Sequence, residues 1–231
     1  MTPRIEVVAI DSLMVRLFDA IDEGNMPWIL AASQRLRDAF GQQLIDLVPS
    51  YTTLMVQFDL APGEARQRIL QALEGLRPDA GQAGRRHEIA VWYHASVGPE
   101  LPVLAARGGM SEAEVIRLHC GRDYPVFALG FAPGCGFRGL VDERLATPRL
   151  STPRKRVAAG SVGIAERQTA AYPAVSPGGW NLIGRTPVRL FDREREGYSL
   201  LQPGDRVRFV AVERAEFINL GGDDSPLEAQ A

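Results

Sequence analysis

The sequence predicts an α+β protein, with a ferredoxin-like βαββαβ domain over residues 1–95, a β-rich domain over 96–220 and a flexible polar tail over 221–231. Three observations carry this reading. Up to Tyr93, helical and strand periods alternate in the order β-α-β-β-α-β. Beyond Tyr93, short β-prone pieces are punctuated by Gly and Pro, the pattern of a sandwich or barrel. A chain of 231 residues, 45% hydrophobic and 23% charged, has enough apolar material for two cores.

Ile5 to Phe18 is rich in β-branched and aliphatic residues and suits a strand. Pro27 fits the first turn of a helix, after which Trp28, Ala32, Leu36 and Phe40 recur at helical spacing. Gln43 to Val48 is a short apolar run closed by Pro49 and Ser50. Leu54, Val56, Phe58 and Leu60 alternate with Met55, Gln57 and Asp59, a half-buried strand. After Pro62-Gly63, Ala65, Ile69, Leu73 and Leu76 form a second helical stripe, and Glu88 to Tyr93 makes the last strand of the unit. In the second part, Ser111-Glu112-Ala113-Glu114 has the form of a capping box opening a helix with Val115, Leu118 and His119. Leu201 to Asp205 is a turn that leads into a strand with Val207, Phe209 and Ala211 on one face.

Lys plus Arg total 26 against 28 for Asp plus Glu, so no global field favours nucleic acid or an anionic membrane, and an anion site must be local. Cys120 and Cys135 cannot form a disulfide framework, which suits a reducing compartment. The N-terminal run lacks the uninterrupted apolar core of a secretory signal, and no segment approaches the ~20 apolar residues of a membrane span. The expectation is a soluble cytoplasmic protein.

The stretch Thr147 to Arg189 concentrates arginines, glycines and prolines with almost no helical period, as suits a shaped anion-accepting surface. Arg154, Lys155 and Arg156, with Arg144 and Arg149 upstream, form either a carboxylate or phosphate cradle or a solvated loop balancing Asp142 and Glu143. Gly160-Ser161-Val162-Gly163 is either an anion-binding nest or a glycine-kinked strand, and it lacks the lysine and spacing of a P-loop. Gln168, Thr169 and Tyr172 suit the orientation of an amide or carboxylate. Trp180 is a core or interface anchor or a substrate platform. Arg185 is an anion ligand or pairs with an acid such as Glu166. His119 is a general acid or base or a hydrogen-bonded structural residue. No histidine pair has metal spacing, so no metal site is expected. Cys135, between glycines and near arginines, has the setting of an activated thiolate only in outline.

The ordered set Gly130-Phe131-x-Pro133-Gly134, Thr152-Pro153-Arg154, Ala159-Gly160-Ser161-Val162-Gly163-Ile164, Gln168-Thr169, Tyr172-Pro173 and Pro177-Gly178-Gly179-Trp180-x-Leu182-Ile183-Gly184-Arg185-Thr186 resembles the signature of the 5-oxoprolinase B-component family. That family includes the sporulation-kinase inhibitor of bacilli and allophanate hydrolase subunit 1, and is similar to the subdomain C and D part of the urea carboxylase carboxyltransferase domain. Cys135 departs from the pattern, since the family has an aromatic residue there.

The resemblance implies that the second domain is a cyclophilin-like β-barrel. It implies the B component of an ATP-dependent 5-oxoprolinase, inactive alone, working with C and A components on a small amide substrate at an ATP site shared among them. His119, Arg154 and Gln168 are the catalytic candidates, and Ser161, Tyr172 and Arg185 the candidates for binding substrate or phosphate. Two other readings are a regulatory module docking on a histidine kinase and a carboxyltransferase component acting on urea or a related amide.

Overall fold

The computed structural model describes residues 3–78 and 84–227, and the chain divides into two compact units, Met1–Gly84 and Arg85–Ala231.

The first unit runs β1 (Arg4–Ala9), β2 (Ser12–Arg16), α1 (Met26–Phe40), β3 (Leu44–Pro49), β4 (Thr53–Phe58) and α2 (Pro62–Leu73). Its antiparallel sheet has the order β1-β2-β4-β3. The segment expected as one strand from Ile5 to Phe18 is a hairpin instead. Asp11 makes the reversal local: its carboxylate accepts from Ser12 Oγ at 3.0 Å and from Gln57 Nε2 at 2.8 Å. Alternate residues Leu54, Val56 and Phe58 are buried against Ile29, Leu36, Phe40, Ile69 and Leu73 of the helices. The strand order is ferredoxin-like, with one exchange: β1 fills the edge place expected for Glu88–Tyr93.

The second unit comprises β5 (Arg86–Val91), α3 (Leu101–Arg107), α4 (Glu112–Cys120), β6 (Asp123–Leu129), β7 (Gly136–Gly139), β8 (Arg154–Val157), β9 (Ser161–Ala165), β10 (Gln168–Ala171), β11 (Ser176–Gly178), β12 (Asn181–Arg185), β13 (Arg206–Ala211) and α5 (Arg214–Asn219). Seven strands form one sheet in the order β12-β9-β10-β7-β6-β13-β5, and β8 with β11 forms a short second sheet. Strand β5 pairs parallel with β13, from Arg86↔Arg206 to Val91↔Ala211, which is why it is missing from the first sheet.

The seven-stranded sheet curls into a barrel whose ends meet just past β5. Trp92 and Arg185 exchange backbone hydrogen bonds, each N–H to the other's carbonyl at 2.9 Å. Gly184 permits this seam, because a Cβ there would stand 2.7 Å from the Trp92 carbonyl oxygen. Ile89, Val91, Val126, Val162, Ile164, Ile183, Val207 and Phe209 fill the interior with the inner faces of α3 and α4. The capping box is present: Ser111 Oγ accepts from the Glu114 N–H at 3.2 Å at the start of α4.

Residues 221–227 of the expected tail lie along the barrel, where Leu227 N–H donates to the Ser96 carbonyl at 2.9 Å. Residues 228–231 lie outside the described residues. No helix among the described residues is long and apolar enough to cross a membrane.

Candidate functional site

Three of the six candidate side chains are lateral neighbours on the barrel. Tyr172, just past β10, donates its N–H to the Ser161 carbonyl at 2.9 Å, and Ser161 at the start of β9 sits opposite Arg185 at the end of β12. Val162 and Gly163 take their places in the ladders to β10 and β12. Of the two alternatives for Gly160-Ser161-Val162-Gly163, the chain therefore builds the glycine-kinked strand rather than an anion nest. Ser161 is fully buried, and its Oγ has no hydrogen-bond partner among the described residues.

Tyr172 and Trp180 wall a pocket completed by Phe131, Phe137, Arg149 and Cys135. The Phe131 ring meets Tyr172 edge-on at 6.2 Å, Phe137 packs on Trp180 at 5.9 Å, and the Arg149 guanidinium lies 6.0 Å over the Trp180 ring. The Tyr172 hydroxyl is hydrogen-bonded to the Trp180 backbone, and burial raises its pKa, so it remains a protonated phenol. Gly178 is required by this packing: a Cβ would sit 2.2 Å from the Tyr172 hydroxyl. Aromatic walls with one cation at the rim suit a flat, small anionic molecule. Burial pushes the Cys135 thiol up, the opposite of an activated thiolate, so Cys135 contributes shape rather than nucleophilicity.

Arg154 does not stand free. Its Nη2 donates to Glu100 Oε1 at 2.5 Å, and Glu100 Oε2 accepts from the Leu182 N–H at 2.8 Å, so this guanidinium ties β8 to the segment before α3. Arg144 pairs with Asp142 at 3.0 Å, the solvated balance that its neighbours allowed. Arg185 is 2% exposed and is covered by the C-terminal segment.

His119 is carried by α4 into the barrel interior and does not line the aromatic pocket. It is fully buried, with Nδ1 2.6 Å from the Tyr93 hydroxyl, Nε2 2.8 Å from Thr169 Oγ1, and its ring stacked on Phe209 at 4.4 Å. Burial, reinforced by the nearby Arg138 charge, lowers its pKa to about 3. The expected acid–base role does not fit an imidazole held neutral and spent on two internal hydrogen bonds; the structural alternative does. Gln168 and Thr169 are adjacent on β10, so their side chains leave opposite faces of the strand, and it is Thr169 that meets His119.

Residue-by-residue reading of the sequence missed Glu100 and Arg138. Arg138 is fully buried, lies 5.0 Å over the Phe209 ring, and its three guanidinium nitrogens find no hydrogen-bond partner among the described residues. Burial lowers its pKa to about 10, which still leaves it charged at neutral pH. Nothing in its neighbourhood in sequence marks it. The alternation of β7 does place it on the Thr169-facing side once the strand pairing is known. No group of three or more His, Cys, Asp or Glu among the described residues is placed to hold a metal ion.

Residues 3–201 match the family model described as carboxyltransferase domain, subdomain C and D. The chain is 35% identical to the 5-oxoprolinase B component of Bacillus subtilis over 227 residues, covering 93% of this chain and 95% of that protein. It is 41% identical to the 5-oxoprolinase B component of Escherichia coli O157:H7 over 196 residues, covering 80% and 88%. Among solved structures, a longer chain superposes with a TM-score of 0.77 at 40% identity, covering 87% of this chain, which spans only 40% of that length. Kluyveromyces lactis urea carboxylase superposes with a TM-score of 0.78 at 15% identity, over 97% of this chain and 23% of its own, a likeness of fold alone.

Proposed function

This chain belongs to the carboxyltransferase domain, subdomain C and D, family, and we propose that it is the B component of a multi-subunit, ATP-dependent 5-oxoprolinase that opens 5-oxoproline to L-glutamate. The observation that carries the reading is the extent of the match. The Bacillus subtilis 5-oxoprolinase B component aligns over 93% of this chain and 95% of its own length, so the likeness is to a whole protein rather than to a shared piece. Urea carboxylase, at 15% identity, supports the fold and adds nothing in favour of carboxyl transfer.

An unstrained lactam resists hydrolysis because amide resonance protects its carbonyl. ATP would supply the phosphoryl group that turns the carbonyl oxygen into a leaving group. The ladder-bound Gly160-Ser161-Val162-Gly163 strand offers no nucleotide cradle, so we assign the ATP site to a surface completed by the C and A components, with this chain inactive alone and the whole complex cytoplasmic. This chain's own contribution is the aromatic pocket. Trp180 and Tyr172 would hold the flat ring and exclude water, while Arg149 at the rim meets the substrate carboxylate. Arg154 acts through Glu100 to hold β8 in place, and so is a positioning residue in this reading.

The test is complementation. A bacterial strain lacking its own B component, given 5-oxoproline as sole nitrogen source, should grow when supplied with this chain and its cognate C and A components. Failure to grow, where the Escherichia coli complex restores growth, would remove the assignment.

A further inference from the structure

We propose that the cavity beneath residues 223–227 is a binding site for a small oxyanion, and that the chain's own C-terminal segment occupies the anion's place in this structure. The cavity is lined by Arg156, Ala158, Arg185, Asp223, Ser225 and Leu227 among others. At its floor lies a guanidinium that the fold has taken out of water, since Arg185 is only 2% exposed. A buried cation ordinarily has an anion in hydrogen-bonding contact. Among the described residues Arg185 has none: Asp223 Oδ2 stands 4.0 Å away, on a side chain that is itself 73% exposed.

What Arg185 has instead is a pair of neutral oxygens. Nη1 donates to the Asp223 carbonyl at 2.6 Å and to the Ser225 carbonyl at 2.8 Å, while the buried Nε has no partner among the described residues. Two carbonyl oxygens on one guanidinium nitrogen hold positions that anionic oxygens could take, without the charge. Arg156, exposed on β8, lines the same cavity and adds a second cation to it. A carboxylate or phosphate in place of the carbonyls would supply the missing charge.

The segment is held in a way that permits exchange. Its attachments beyond Arg185 are the Leu227 N–H to the Ser96 carbonyl, the packing of the Leu227 side chain on the cluster that holds Val157, Tyr172 and Trp180, and a surface pair between Arg214 and Asp224. A surface pair contributes little. Asp223, Ser225 and Pro226 are accessible from solvent, so residues 223–226 form a single outer layer that can lift while Leu227 stays seated. The site stands whether or not the substrate is 5-oxoproline.

Hydrogen exchange followed by mass spectrometry on the full chain tests this, with inorganic phosphate and acetate as separate arms and chloride at matched ionic strength as the control. Either oxyanion should speed exchange of the Ser225 amide by about fivefold or more over chloride, and the arm that responds identifies the oxyanion. Arg185→Gln should exchange fast without ligand and show no response. Arg156→Gln, which alters only an exposed side chain, should keep slow basal exchange but need about tenfold more anion for the same effect. Equal responses to oxyanion and chloride, slowed exchange on adding oxyanion, or an unchanged response in Arg156→Gln would each overturn the proposal.

Discussion

Glu100 takes the Arg154 guanidinium on one carboxylate oxygen at 2.5 Å and the Leu182 amide on the other at 2.8 Å, joining β8 and β12 to the entrance of α3. Both side chains are nearly buried, 11% exposed for Glu100 and 13% for Arg154. Removing one partner strands the other charge. Glu100→Ala is therefore expected to lower unfolding free energy by about 3 kcal/mol, read from the midpoint of a urea titration. The double replacement Glu100→Gln with Arg154→Met should recover most of that loss, because it removes both charges together and keeps an acceptor for the Leu182 amide.

The buried imidazole gives a second expectation. The unfolded chain takes up a proton at His119 near pH 6.5, while the folded chain resists it until about 3. Across that window the unfolded state binds more protons, so stability is complete above about 6.5 and falls as pH drops, by at most about 1.4 kcal/mol per pH unit from this group. His119→Gln should flatten the slope between pH 6.5 and 4 in stability curves, and leave activity at neutral pH within a few fold. A slope identical to that of the parent chain would count against a neutral, internally bonded His119.

Gly178→Ala puts a methyl group where the Tyr172 hydroxyl lies, 2.2 Å away. The tyrosine must swing toward the pocket it lines, and a displacement near 1 Å in a positioning group costs about a hundredfold in rate. The expected outcome is a large drop in kcat/KM of the assembled enzyme with a stability loss of about 1–2 kcal/mol. Unchanged kinetics would show that the Tyr172 pocket is not where substrate sits.

Cys135 lines the same pocket with its thiol held neutral by burial. Cys135→Ala should retain activity within about twofold, since no nucleophile is lost. An inactive Cys135→Ala that folds normally would restore the thiol as a chemical participant.

Local signals in the chain were sound where the physics is local. The Ser111–Glu114 cap and the alternating Leu54, Val56 and Phe58 rest on neighbours within a turn or a pleat, and both are present. Glu88–Tyr93 was recognisable as strand but not as a member of the second sheet, because its register with Arg206–Ala211 is set by residues more than a hundred positions away. The same limit governs the site. Glu100 meets Arg154 across 54 residues and His119 meets Thr169 across 50, so the partners that bury one and engage the other leave no trace beside either in sequence. The stretch Thr147 to Arg189 did contain residues that wall the aromatic pocket; which arginines remain available to a ligand depended on the acids and carbonyls folded onto them.

The most direct measurement is omission from a reconstituted reaction: this chain and its cognate C and A components, purified separately, are mixed with ATP and 5-oxoproline and glutamate is quantified. Glutamate should form at full rate only when this chain is present, and fall to background when it is left out or ATP is withheld. Release of glutamate at the same rate without this chain would contradict its place as a 5-oxoprolinase component.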